Sequence, residues 1–579
     1  MNSKRYVRMG RGRAVAFLLA LLSFGLCKAQ DLKSHNFEVA KQLDIFNTIY
    51  KDLDMMYVDT LNPKYVVGNA IKYMLAGLDP YTVYYPEDDA KELKYMITGK
   101  YAGIGSVIRY NRKLGVIQIE EPYADMPAAK AGLQRGDIIV SIDDSLMTDK
   151  TTDQVSNLLR GEAGTSFALK VLRPDALSPK APKKGSKLPS GKMLTMKITR
   201  QAIQTPTVPY YGLQAGGIGY IHLSSFTEDC SKDVRRALID LKQQGAKSLV
   251  FDLRENGGGS LAEAVNIVNL FVPKGLQIVN TKGKLARVNT EYKTLVEPLD
   301  TLMPIVVLVN RNTASASEVT SGALQDLDRA VIVGTRTYGK GLVQMPMQLP
   351  YNTNFKLTTS KYFIPSGRCI QALNYRHGAH GGYVEHIPDS LTHVFHTKGG
   401  REVRDGGGIK PDVEVHADTM ANISFYLMQS ATDSTEVLLD YEMAYVQSHP
   451  TVAAPDVFEI TDADFDDFKQ RVLKSNFKYD RESLRAFERL KELARLEGYY
   501  DEAEEAFDVL GSKLTHNMER DLEKSRDELK NQIAIDLMTH YYFQGGALHY
   551  SLRHDRQMAE AVRLLNTPEE YRRILGQGK

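Results

Sequence analysis

Hydrophobic and polar positions repeat with different periods along this 579-residue chain, and each period predicts its own kind of element. From Phe37 to about Thr98 apolar residues return at helical spacing, as in Leu43, Phe46, Ile49 and Leu53, with breaks at Asn62-Pro63 and at Leu78-Asp79-Pro80-Tyr81. From Lys100 to Arg173 the pattern shortens to strands (Gly115 to Glu120, Asp137 to Ile142, Phe167 to Leu172), with helical stretches at Ala128 to Ala131 and Thr152 to Arg160. Pro174 to Lys192 has no period and carries Pro174, Pro179, Pro182 and Pro189, which predicts an exposed loop. Strand and helix then alternate: Gly219 to Ser224, a helix at Asp229 to Gly245, the apolar strand Ser248 to Leu253, a glycine turn, a helix at Leu261 to Phe271, and the strand Ile305 to Val309. That alternation predicts an α/β core on a largely parallel sheet. Beyond Thr419 long amphipathic patterns, as in Arg481 to Gly498 and Leu514 to Tyr542, predict a mostly helical end.

The predicted organisation is a signal peptide at 1–29, a helical region at 30–98, a β-rich module at 99–175 and a linker at 176–195. A core follows at 196–418, with an insertion near 373–405, and then a helical region at 419–579. A composition of 43% hydrophobic and 25% charged residues supplies enough apolar material for several cores. The signal rests on the basic stretch Lys4, Arg5, Arg8, Arg11 and Arg13 followed by an apolar run from Ala14 to Leu26, too short for a membrane span. It predicts an exported protein. Removing residues 1–29 takes away six positive charges and no negative ones, so the formal balance moves from +2 to −4 and no nucleic-acid footprint remains. Cys230 and Cys369 are then the remaining cysteines, too few for a disulfide framework, and their pairing is not legible in the sequence.

Candidate chemistry concentrates between Asn310 and Gln344. Ser315-Ala316-Ser317-Glu318 precedes Val319, Ala323 and Leu327 at helical spacing, which is a capping box as well as a place for a nucleophile. A helix start offers free N–H groups and the positive dipole end to a developing oxyanion, so the two readings are compatible. No histidine lies between His222 and His377, so a serine nucleophile here needs another base. Lys340, between Gly339 and Gly341, can serve if burial lowers its pKa, with Gln344 on the same side of a strand to hold its amine. Gly334 to Lys340 also matches GxxxxGK, the start of a phosphate loop, but position 341 is Gly where a Ser or Thr must bind magnesium, and Pro346 opposes the helix that should follow. The glycines of Asn256-Gly257-Gly258-Gly259 let backbone N–H groups face an oxyanion, while Asp252 and Arg254 beside them fit a structural pair. The Gly103-Ile104-Gly105 loop before a strand can offer N–H groups to a terminal carboxylate. His377, His380, His386, His393 and His396 lie in a Gly-rich stretch without zinc-ligand spacing, so a solvated loop is the better reading and no metal is expected.

Four stretches together, YAGIGSVI with AGLQRGDIIVSID, GYIHLSSF with VFDLRENGGG, TASASEVTSGALQD, and GTRTYGKGLVQ, resemble the carboxyl-terminal processing proteases, also called tail-specific proteases, from about Phe37 to Val415. The resemblance implies a PDZ-like module beside an α/β, crotonase-like serine protease core, flanked by helical N- and C-terminal regions. It implies Ser315 as nucleophile, Lys340 as general base, Gln344 as its holder, and an oxyanion held near Ala316 and by Gly258 and Gly259. Gly103, Ile104 and Gly105 would bind the carboxylate of protein or peptide substrates with apolar C-termini. No cofactor is implied, the site is periplasmic or secreted with membrane-surface association left open, and a homodimer or an adaptor protein is a further partner to be tested. Thr313 stands where the family more often has Ser, and Gly257 where Pro is frequent. The rival reading is a non-catalytic peptide-binding scaffold.

Overall fold

The computed structural model describes residues 11–89, 93, 95, 98–175, 188–375, 385–428, 435–479, 482–514 and 517–577, with side chains from 34 onward. Residues 1–10 of the predicted signal peptide therefore lie outside the described residues, as do most of the predicted linker and His377 and His380, while residues 11–29 are described as helical backbone alone. Among the described residues no helix is long and apolar enough to cross a membrane. The chain enters through helices α1 (Arg11–Met56) and α2 (Pro63–Ala76), the second capped by the Asn62 side chain with Pro63 at its first position. The predicted helical region then departs from expectation. Val83–Tyr85 is a strand, β1, that joins a sheet of the core.

The β-rich module follows as β2 (Lys100–Gly103), β3 (Ser106–Asn111), β4 (Val116–Pro122), β5 (Ile138–Ile142), α3 (Thr152–Leu159), β6 (Ser166–Pro174), β7 (Gly191–Thr199) and β8 (Gln201–Gln204). Its main sheet runs β3-β4-β5-β6-β7, and β2 pairs with β8. Here the predicted linker at 176–195 is too long. β7 begins at Gly191 and is in register with β6 from Gly191↔Pro174 to Thr199↔Ser166, so the module extends past 196. The strand was hidden because it follows a proline- and lysine-rich stretch and has one wet face, with exposed Met193, Thr195 and Lys197 alternating with Leu194, Met196 and Ile198.

The core contains β9 (Tyr210–Gln214), β10 (Ile218–His222), α4 (Cys230–Gln243), β11 (Ser248–Asp252), α5 (Leu261–Val268), β12 (Gln277–Gly283), β13 (Thr290–Lys293), β14 (Ile305–Val309), α6 (Ala316–Asp326), β15 (Val331–Gly334), β16 (Leu342–Gln348), β17 (Asn354–Phe363) and β18 (Val413–Glu414). One sheet runs β9-β10-β11-β14-β15-β18 and is parallel except for the β9–β10 pair. A second, antiparallel sheet runs β1-β17-β12-β13, with β16 also on β17. Cys230 and Cys369 are separate free thiols.

Strand β14, Ile-Val-Val-Leu-Val, is buried on both sides, as an interior parallel strand must be. Its alternate residues serve two cores. Ile305, Val307 and Val309 pack with α4, α5 and α6, while Val306 and Leu308 pack with Met558, Ala561 and Leu564 from helix α7 (Arg556–Leu565), Tyr571 from α8 (Pro568–Ile574) and Leu575 just after it. The C-terminal helices thus cover the back of the parallel sheet. Tyr571 fastens them, because its hydroxyl donates to the Ile305 carbonyl at 2.9 Å and accepts from the Ile305 N–H at 2.8 Å. Tyr571→Phe is expected to leave both backbone groups unpaired in a buried place and to cost about 1–3 kcal/mol, measured as a lower denaturant midpoint with unchanged slope.

Candidate active site

Helix α6 is buried along its whole length, which its small and hydroxylated residues permit. A Cβ on Gly322 would meet the Ile409 and Ile364 side chains at 2.6 and 2.8 Å. Its hydroxyls are satisfied: Ser317 donates across to the Asn256 carbonyl at 2.9 Å, and within the helix Thr320 donates to Ala316 at 3.0 Å and Ser321 to Ser317 at 2.8 Å. Ser315 stands at its N-terminus with φ 58° and ψ −115°. A serine held outside the ordinary regions costs on the order of 1–3 kcal/mol, which the surrounding contacts must offset.

Those contacts centre on Glu318, which is fully buried. Its carboxylate accepts from the Ser315 N–H at 2.9 Å, the Gly339 N–H at 2.7 Å, the Lys340 N–H at 2.8 Å and the Thr337 hydroxyl at 2.5 Å. Ser315 and Lys340 donate to the same oxygen, Oε2, so one atom joins the start of α6 to the lysine loop. Burial pushes the Glu318 carboxyl up to about 7 against the pull of these donors. The same bonds remove the phosphate-loop reading. The N–H groups of Gly339 and Lys340 are spent on Glu318, and those of Thr337, Tyr338 and Gly341 go to Ile409, Thr313 and the Gln371 side chain.

Two tyrosines complete the surroundings of the lysine. The Tyr362 hydroxyl donates to the Lys340 carbonyl and takes a hydrogen bond from Ser315. The Lys340 amine lies 4.4 Å from the centroid of the Tyr81 ring. Its pKa is lowered to about 8, chiefly by burial and then by Lys356, with Glu318 and Asp79 pulling the other way. Gln344 lies in β16, where a register shift separates it from Val343, and its Nε2 donates to Thr358 Oγ1 at 3.2 Å. The expected direct bond from Gln344 to the amine is replaced by this cross-strand bond, because Thr358 is its ladder partner.

The glycine turn packs directly against the serine. A Cβ on Gly258, at φ 96°, would come within 2.8 Å of both Ala316 N and Ser315 Cβ, so only glycine fits. Asn256 ties the two turns: its carbonyl accepts from Ala314 N–H at 3.0 Å, its Nδ2 donates to the Leu223 carbonyl at 2.7 Å, and its Oδ1 accepts from Gly258 N–H at 2.9 Å. That last bond corrects the expectation for Gly258, whose N–H is committed to Asn256. Ala316 and Gly259 N–H take no partner among the described residues. Asp252 and Arg254 form the structural pair, with Arg254 reaching on to Asp555 at 2.6 Å and Gln557 at 2.9 Å.

In the β-rich module, Gly103 ends β2 and Gly105 has φ 68°, immediately before the edge strand β3. The Ile104 side chain is buried in the module's core and its carbonyl accepts from Ala128 N–H at 2.9 Å. Sequence reasoning gives Glu318 only as part of a cap and assigns no role to Asn256, Thr337, Thr358 or Tyr362. The capping box was the signal available for Glu318.

The model for Peptidase family S41 matches residues 217–376, that for a PDZ domain residues 118–173, and that for Probable PDZ-protease, C-terminal helical domain, residues 428–565. The carboxy-terminal-processing protease of Bartonella bacilliformis is 34% identical over 369 residues, covering 62% of this chain and 81% of that protein. A probable CtpA-like serine protease of Staphylococcus epidermidis is 31% identical over 344 residues, 59% of this chain and 66% of that one. Among solved structures, the photosystem II D1 C-terminal processing protease is 27% identical with a TM-score of 0.34, over 64% of this chain and 86% of that chain. With a relative matched over 81% of its length and both domain types present, this chain belongs to the carboxy-terminal-processing proteases of peptidase family S41, serine-type peptidases with a PDZ domain that act on protein or peptide substrates.

Proposed function

We propose that the protein is an exported endopeptidase that recognises the C-terminal tails of its substrates and cleaves them through a Ser315–Lys340 pair. The observation that supports it most is Glu318 Oε2, which holds the backbone of both residues at once while the lysine amine titrates at about 8. The Ser315 oxygen attacks the substrate carbonyl carbon as the Lys340 amine takes its proton. The carbonyl oxygen becomes an oxyanion beside the free N–H groups of Ala316 and Gly259. Lys340 then gives the proton to the departing amine, leaving an acyl-serine. Water attacking that ester passes its proton to the same lysine, which returns it to the Ser315 oxygen as the acyl–oxygen bond breaks and the carboxylic acid product leaves. Gln344 and Thr358 fix the strand from which the lysine loop emerges. Gly103 to Gly105 would receive the substrate carboxylate, and a peptide would add to the open edge of β3.

Ser315→Ala tests this reading. The variant is expected to fold and to lose turnover of a disordered polypeptide by about four orders of magnitude or more. Retained cleavage would remove Ser315 from the mechanism and favour a binding scaffold with a separate contaminating or secondary activity.

A further inference from the structure

The segment before β1 has no part in the serine and lysine motifs, yet it lies against them. Asp79 organises it: Oδ1 accepts from the N–H groups of Tyr81 and Thr82, both at 2.8 Å, and Oδ2 accepts from the Thr82 hydroxyl at 2.9 Å. This turn is bound to β17 at one residue. The Thr358 hydroxyl donates to Asp79 Oδ1 at 3.2 Å, and the Thr358 N–H donates to the Thr82 hydroxyl at 3.2 Å. Thr358 is also the residue that accepts from Gln344. A chain of bonds therefore runs from Gln344 through Thr358 to Asp79, and from Asp79 to the backbone that carries the Tyr81 ring.

That ring is itself fixed from outside. Tyr375 packs edge-on against it at 6.0 Å and donates to its hydroxyl at 3.3 Å, while the Tyr81 hydroxyl points to Tyr338 at 3.4 Å. Burial holds the Tyr81 phenol well above its ordinary range, so it remains neutral. Its face covers the Lys340 amine.

We infer that the Asp79–Thr82 turn belongs to the active site, with Tyr81 a positioning residue that roofs the Lys340 amine against water and Asp79 the anchor that keeps the roof in place. The inference rests on the reading of Lys340 as the base. Two effects of an aromatic face oppose each other. It attracts a cation, which favours the protonated amine, and it excludes water, which favours the neutral one. Dehydration wins here, since the amine titrates below its ordinary value with Lys356 adding to the shift and Glu318 and Asp79 opposing it. The Tyr362 hydroxyl contacts the lysine's carbonyl, and its phenol also stays neutral.

The test titrates the amine directly in the full chain, by the pH dependence of Lys340 acetylation read by peptide mass spectrometry, beside the pH profile of kcat/KM on a disordered polypeptide. Tyr81→Leu is expected to raise the amine midpoint by about one unit, a roughly tenfold smaller neutral fraction at pH 7. Its loss of kcat/KM is expected to be largest near neutrality and to shrink as pH rises. Tyr81→Phe restores the ring and is expected to recover the midpoint. Asp79→Glu, which keeps the negative charge but displaces the acceptor that holds the Tyr81 and Thr82 N–H groups, is expected to move the midpoint in the same direction as Tyr81→Leu and covers the case in which the leucine variant does not fold. An unchanged midpoint in folded Tyr81→Leu or Asp79→Glu would overturn the inference, as would an activity loss equal at every pH. Lys340→Met, run alongside, separates the two readings: activity in it would overturn the base assignment, whereas the amine titration judges the roof by itself.

Discussion

Lys340→Arg is expected to lower kcat/KM by about three to four orders of magnitude at about pH 8 and above, the scale of a lost general base, with a smaller loss below the limb. Arginine keeps a positive charge near the Tyr81 face but cannot give up its proton in this range. In the parent protein the acid form is the cation, so the catalytically competent neutral amine grows as pH rises, and kcat/KM should climb about tenfold per pH unit up to a limb near 8. The arginine variant should show no such limb. Stability carries the same signature. The lysine pKa is lowered from 10.5 to about 8 by folding, so the cost of burying the cation is fully present below 8 and disappears as pH rises to 10.5. A variant that retains the limb near 8 would show that some other group is the base.

Glu318→Gln should produce the second large effect, and on two readouts together. The substitution turns one acceptor oxygen into an amide that donates, facing a cluster of backbone N–H groups and the Thr337 hydroxyl. Buried donors left unpaired cost about 1–3 kcal/mol each, so a stability loss of about 2–4 kcal/mol is expected after partial rearrangement. The lysine loop would no longer be tied to Ser315, and a shift of about 1 Å between reacting groups costs on the order of a hundredfold in kcat. Denaturant midpoints and kcat measured well below the unfolding temperature separate the two. A destabilised variant whose folded fraction turns over at the parent rate would confine Glu318 to the fold.

The alternation of strands and helices between Gly219 and Val309 was legible because parallel strands such as Ile305 to Val309 are continuous apolar runs between amphipathic helices. Ser315 and Lys340 were legible as chemistry because their neighbours are small or glycine, and the family resemblance gave them a common purpose. What was hidden depended on distant pairing. A strand of three residues, Val83–Tyr85, cannot be told from a helix end by periodicity, and its identity comes from β17, far along the chain. Likewise nothing local to Gln344 shows that its ladder partner Thr358 will take its hydrogen bond, nor to Gly258 that Asn256 will occupy its N–H. The two-faced sheet explains why the C-terminal region had no readable motif: residues such as Leu564 and Tyr571 serve as a cover, which needs only shape and apolarity.

That cover also imposes an order in time. Synthesis runs from the N-terminus, so β10, β11, β14 and β15 emerge well before Met558, Leu564 and Tyr571 that close their far side. Until the last few dozen residues are made, Tyr220, Val250, Val306, Leu308 and Val333 have no dry surface to meet. The nascent chain thus carries its serine and lysine long before the sheet bearing them is sealed, and a truncated product ending before residue 556 would expose a broad apolar face and be cleared as unfinished.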